Sequence, residues 1–167
     1  MSLQLGFPLL LAAALFQAAV LPSFRVAGGQ PDLVLMLVIA WATLDRGREG
    51  MAWAFVGGLL LDLLSGAPLG MSSLLLVPIA YAVGLTEAQV YRTNITLPLL
   101  LTLLGALAYH LGSLLLVRIL IGSAVGWGYA LLNIALPSIL FDVILILPAL
   151  RLLSGWYDRL HPRGVTI

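Results

Sequence analysis

Of 167 residues, 62% are hydrophobic and only 9% are charged, with a mean hydropathy of +1.11. Soluble domains carry about 25% charged residues, so the chain reads as an integral membrane protein, and a net charge of +1 gives no case for nucleic-acid binding. No cysteine is available for disulfides or thiolate metal sites, and no lysine for Schiff-base chemistry or a P-loop.

A spanning helix takes about 20 residues, so about six spans use most of the chain. The expected architecture is all-α, one transmembrane domain over 1–167, with short loops and no room for a folded soluble domain. Span 1 is expected from about Leu5 to Leu21. It lacks the basic n-region of a signal peptide, has Gln17 as its one polar side chain, and carries the small-residue pair Ala14 and Ala18. Pro and Gly mark Leu21 to Gln30 as a loop. Span 2 opens with Pro31 and Asp32, both suited to a first helical turn: proline lacks an N–H there, and the carboxylate meets the positive end of the helix dipole. Its apolar run, Leu33 to Leu44, is short for a crossing.

Asp45 to Gly50 is the most charged stretch and reads as a tight polar turn. Span 3, Met51 to about Leu64, carries Trp53 as an expected interfacial anchor. Gly50, Ala54, Gly58 and Asp62 recur every fourth residue and form one ridge along it. Small residues in such a ridge admit a second helix closely. Asp62 is a carboxylate in an apolar run, which marks a functional-site candidate. A turn built from Ser65, Gly66, Pro68 and Gly70 follows. The unpaired N–H groups at the start of span 4 then favour an anion, and Arg25 and Arg118 are candidate charge partners.

Span 4 is expected from Met71 to Leu85. The polar segment Thr86 to Thr96 suits a short interfacial helix; its Asn94-Ile95-Thr96 triplet matches a glycosylation pattern and is given no role. Span 5, Leu97 to about Ile121, contains His110 and ends near Arg118. A lone His in such a helix is more often a packing residue, and with no second His nearby no metal site is expected. After a Gly-rich loop, span 6 runs from Tyr129 to about Leu153, kinked at Pro137 and Pro148. Asp142 lies mid-span, one turn after Ser138. The tail from Trp156 to Ile167 is expected to be exposed.

Arginines set the orientation. Arg46, Arg48, Arg92, Arg151, Arg159 and Arg163 fall on the side of the termini, against Arg25 and Arg118 on the other. Positive charge favours the cytoplasm, so both termini are expected inside, and Asp32, Asp62 and the Gly66–Gly70 turn on the outer side.

Pro31-Asp32-Leu33, the charged turn with Gly50, and the stretch Gly57-Gly58-Leu59-Leu60-Leu61-Asp62-Leu63-Leu64-Ser65-Gly66-Ala67-Pro68-Leu69-Gly70 together resemble the MreD family, rod shape-determining membrane proteins of bacteria. The resemblance is strongest over residues 28–85. It implies a non-enzymatic scaffold of the cell-elongation and peptidoglycan-synthesis machinery in the cytoplasmic membrane, without cofactor or catalytic residues. It implies partnership with MreC, a single-span protein with a large periplasmic domain, and a link to MreB, RodA and a class B penicillin-binding transpeptidase, besides membrane lipids. It also implies a six-helix bundle like the S-components of energy-coupling-factor vitamin transporters.

A transporter subunit of that S-component type is therefore the alternative function. Its support is the Ala14/Ala18 face of span 1 and an outward polar group of Asp32, Asp62 and Arg118. A third reading, an intramembrane enzyme using Asp62, His110 and Asp142, lacks any motif that brings those residues together.

Overall fold

The centre of the bundle is a helix shorter than a bilayer's hydrocarbon core is thick. In the computed structural model, which describes residues 2–25, 28–44, 48–85, 96–122 and 126–160, helix α2 spans Leu33–Leu44. Twelve residues at about 1.5 Å each make a rod of about 18 Å, against a hydrocarbon core of about 30 Å. Nine of its twelve residues are buried, from Val34 to Thr43. Its flanks are covered by the neighbouring helices of the chain.

Around it stand α1 (Ser2–Ala19), α3 (Arg48–Ser65), α4 (Met71–Gly84), α5 (Thr96–Ile121) and a last rod. The rod comprises α6 (Trp127–Ala130), a π-helical turn (Leu131–Ala135) and α7 (Leu136–Leu160). A short 3₁₀ turn, Leu21–Phe24, follows α1. Every described element is helical. Helix α2 touches α1, α3, α4, α5 and the last rod, and α3 packs on α1, α2 and α4. Among the described residues two helices are long and apolar enough to cross a membrane, Thr96–Leu120 within α5 and Trp127–Gly155 within the last rod. Gly6–Ala19, Leu33–Leu44 and Met71–Gly84 are apolar but shorter.

The last rod buries Ala135, Ser138, Ile139, Asp142, Ile146 and Leu153. That three-to-four spacing is one stripe of a helix, and it carries Asp142 inward. The π turn precedes Pro137. Proline has no N–H, so the Asn133 carbonyl loses its usual partner, and a widened turn accommodates the gap. Pro148 lies within α7.

Two packing expectations need correction. Trp53 is not an interfacial anchor: it is fully buried and stacks on Trp41 of α2, ring centroids 4.3 Å apart and planes 9° from parallel. The nearly apolar α2 surface offers Trp53 a larger contact than the interface does. Ala14 is likewise fully buried in the chain's own core, so it does not lie on an outer face for a partner helix. The turn at Asp45 to Gly47, the segment from Thr86 to Ile95, and His161 and Arg163 lie outside the described residues.

Candidate functional site

The small-residue ridge of α3 is spent inside the chain. Gly50 lies against Ala42 of α2, where an added Cβ would be 3.1 Å from the Ala42 Cα. Ala54 is fully buried. Gly58 faces α4 so closely that a Cβ there would lie 2.6 Å from the Ser73 Cα and overlap the Ser73 N. The Ser73 hydroxyl donates to the Phe55 carbonyl at 2.8 Å, which ties α4 back to α3. The ridge therefore contacts two helices, α2 at one end and α4 at the other.

Asp62 sits where α4 begins. Its carboxylate accepts the backbone N–H of Gly70 at 2.8 Å and that of Ser72 at 3.1 Å. Those donors belong to the first turn of α4 and have no partner within their own helix. Asp62 is buried, at 1% exposure, and supplies their acceptor from within the protein. The turn between is exposed at Ser65, Gly66 and Pro68. Gly66 (φ 71°) ends α3 and Gly70 (φ 89°) starts α4, both in the left-handed region that favours glycine. Met71 donates to the Pro68 carbonyl at 3.1 Å, closing the turn. Among the described residues no arginine is within ion-pair distance of Asp62; Arg118 instead lies with its guanidinium 5.8 Å from the Trp127 ring centroid, and Arg25 is exposed. Backbone hydrogen bonding, rather than charge pairing, is what Asp62 does here.

The second centre lies at the N-terminus of α2. Asp32 is its N-cap residue, since its carbonyl accepts from Met36 N at 2.9 Å, and Pro31 precedes it outside the helix. The Asp32 side chain does not fold onto its own helix. The cap comes from α1: Gln17 Oε1 accepts the Val34 N–H at 3.0 Å, and Gln17 Nε2 donates to Asp32 Oδ1 at 2.7 Å. The Asp32 N–H donates to Asp142 Oδ1 on α7 at 2.7 Å. His110 of α5 places Nε2 3.1 Å from Asp32 Oδ2 and 4.0 Å from Asp142 Oδ2. The neighbouring Gln30 N–H donates to the Ser138 hydroxyl at 3.1 Å, so the chain entering α2 is strapped to the last rod.

Four helices thus meet at one buried point through Gln17, Asp32, His110 and Asp142. Their neighbour Tyr109 turns to the first centre, its hydroxyl 3.4 Å from Ser72 Oγ, so α5 touches both. Of the carboxylates singled out in the sequence, Asp32 and Asp142 come together and Asp62 stands with α4. The set Asp62, His110 and Asp142 does not form as such: Asp32 occupies the place beside His110. Gln17 carried no assigned role, and His110 only a packing role or a place in the enzyme reading, so sequence reasoning passed over both as members of this centre. Both are lone polar side chains in apolar helices, the signal by which Asp62 was found.

Comparison with known proteins adds one match. The family model described as rod shape-determining protein MreD aligns with residues 2–154, from the start of α1 deep into the last rod. No curated protein and no solved structure matches the chain.

Proposed function

The chain belongs to the family of the rod shape-determining protein MreD, and from that premise we propose that it is a non-enzymatic membrane scaffold of the cell-elongation machinery. Membership implies a role in rod shape determination and a place in the membrane. The observation that carries the finer reading is the extent of the match, which takes in nearly the whole bundle. A scaffold needs only defined outer surfaces, and the outer faces here are apolar, with Phe7, Phe16, Leu104, Ile119, Leu132 and Leu152 exposed. Because Gly50, Ala54 and Gly58 are committed to internal packing, a partner helix would meet those larger apolar faces instead.

The proposed direct partner is an MreC-like single-span protein, with MreB, RodA and a class B transpeptidase linked through the assembly. Co-expression of the tagged chain with the MreC-like protein of the same organism, followed by pull-down in mild detergent, is expected to recover the two together. Recovery of the chain with an ATPase-coupled transporter module instead would support the S-component alternative and reject the scaffold.

We further propose six crossings with both termini in the cytoplasm, supported by the arginine distribution. Reporter fusions at Gly47 and Ile167 should read cytoplasmic, and fusions near Gly28, Ala67 and Gly126 periplasmic. A periplasmic Ile167 fusion would refute this arrangement.

A further inference from the structure

We propose that Asp32, His110 and Asp142 form a binding site for a divalent transition-metal cation, Zn²⁺ or Mn²⁺, at the N-terminus of α2. One ligand atom from each residue lies within 4.8 Å of the others. Neighbouring ligand atoms in tetrahedral or octahedral shells, with bonds of about 2.1 Å, stand about 3.0–3.5 Å apart. The His110–Asp32 distance of 3.1 Å already fits, and the 4.0 Å from His110 to Asp142 closes with a small side-chain movement.

The hydrogen-bond pattern points the same way. Each carboxylate has one oxygen fixed by a protein donor: Asp32 Oδ1 by Gln17 Nε2, and Asp142 Oδ1 by the Asp32 N–H. The remaining oxygen of each faces His110 Nε2. Asp142 is fully buried, yet its Oδ2 has no hydrogen-bond partner, and neither has His110 Nε2. A fully buried carboxylate oxygen left unmatched and aimed at an imidazole nitrogen is what a ligand set looks like. Gln17 and the Asp32 backbone then serve as the outer shell that orients the ligands.

Charge selects a dication. Two carboxylates are brought into the interior with no arginine within ion-pair distance among the described residues. Neutral imidazole, two carboxylates and a 2+ ion sum to zero, which an apolar interior tolerates. The donor set of one nitrogen and two oxygens suits Zn²⁺ or Mn²⁺ better than the all-oxygen shells of Mg²⁺ or Ca²⁺. Three protein ligands leave at least one coordination position for water or another oxygen donor. The site ties α2, α5 and α7 together at one point, apart from any role of the outer faces in the cell-shape assembly.

The test uses the full chain purified in mild detergent, stripped with a chelator and titrated with ZnCl₂ or MnCl₂. Calorimetry is combined with elemental analysis after dialysis. The expected result is one ion per chain, a rise in melting temperature on adding metal, and its reversal by EDTA. Asp142→Asn and His110→Gln should weaken binding at least about 100-fold, and Gln17→Ala about 10-fold, while Asp62→Asn leaves binding unchanged. If the ligand variants fail to fold, the wild-type stoichiometry and the EDTA reversal decide. Stoichiometry well below one, or equal affinity in wild type and folded ligand variants, would overturn the site and identify the cluster as an imidazole hydrogen-bonded between carboxylates.

Discussion

Gly58→Leu is expected to abolish folding in detergent, and Gly58→Ala to destabilise the fold by about 2 kcal/mol or more. Overpacking a tight interior costs about 1–3 kcal/mol where side chains can move aside. Here the obstacle is backbone: a Cβ at Gly58 would stand 2.6 Å from the Ser73 Cα. Relief requires α4 to shift away from α3. That shift would also break the Ser73 to Phe55 hydrogen bond and pull the first turn of α4 from Asp62. Leu60→Val, at a half-buried position of the same helix, should cost no more than about 1 kcal/mol. Thermal unfolding and monodispersity of the three variants provide the measurement. Equal tolerance of the Gly58 and Leu60 changes would remove the close approach as a determinant of the fold.

Asp62→Leu should be nearly as damaging. It strands the N–H groups of Gly70 and Ser72 beside a buried side chain. Losing the cap costs about 0.5–2 kcal/mol, and its half-buried donors add an amount at the lower end of the about 1–3 kcal/mol that a buried unsatisfied donor costs. Asp62→Asn keeps one acceptor oxygen but sets an amide NH₂ against a backbone N–H and gives up the charge-assisted bond, so a loss of about 1–2 kcal/mol is expected. Combining Asp62→Asn with removal of Arg25 or Arg118 should restore nothing, because neither arginine pairs with Asp62. Rescue by an arginine deletion in a thermal-unfolding series would reinstate charge pairing.

Composition and hydropathy were enough to read a helical membrane bundle, because apolar runs broken by Pro and Gly have few other solutions. The Asp62 turn was legible for a local reason: carboxylate, glycine turn and helix start lie within eleven residues, so sequence distance approximates spatial distance. The centre at Asp32 was not legible. Gln17, Asp32, His110 and Asp142 come from four helices, and only the three-dimensional packing sets which polar faces meet. Asp32 looked like a cap for its own helix, yet the cap arrives from Gln17, fifteen residues earlier. Trp53 misled because tryptophan suits both an interface and a core; the partner that decides the matter, Trp41, lies across the α2–α3 hairpin. The Ala14/Ala18 pair misled for a related reason, since small residues permit close approach without stating which helix approaches.

The most direct test of the scaffold reading is purification of the chain from its own membranes in gentle detergent, with mass spectrometry of the proteins and small molecules that come with it. The scaffold account predicts a single-span protein with a large periplasmic domain, recovered in near-equal amount with the chain. Recovery of an ATPase-coupled membrane module together with a vitamin-like small molecule, and no single-span partner, would contradict it.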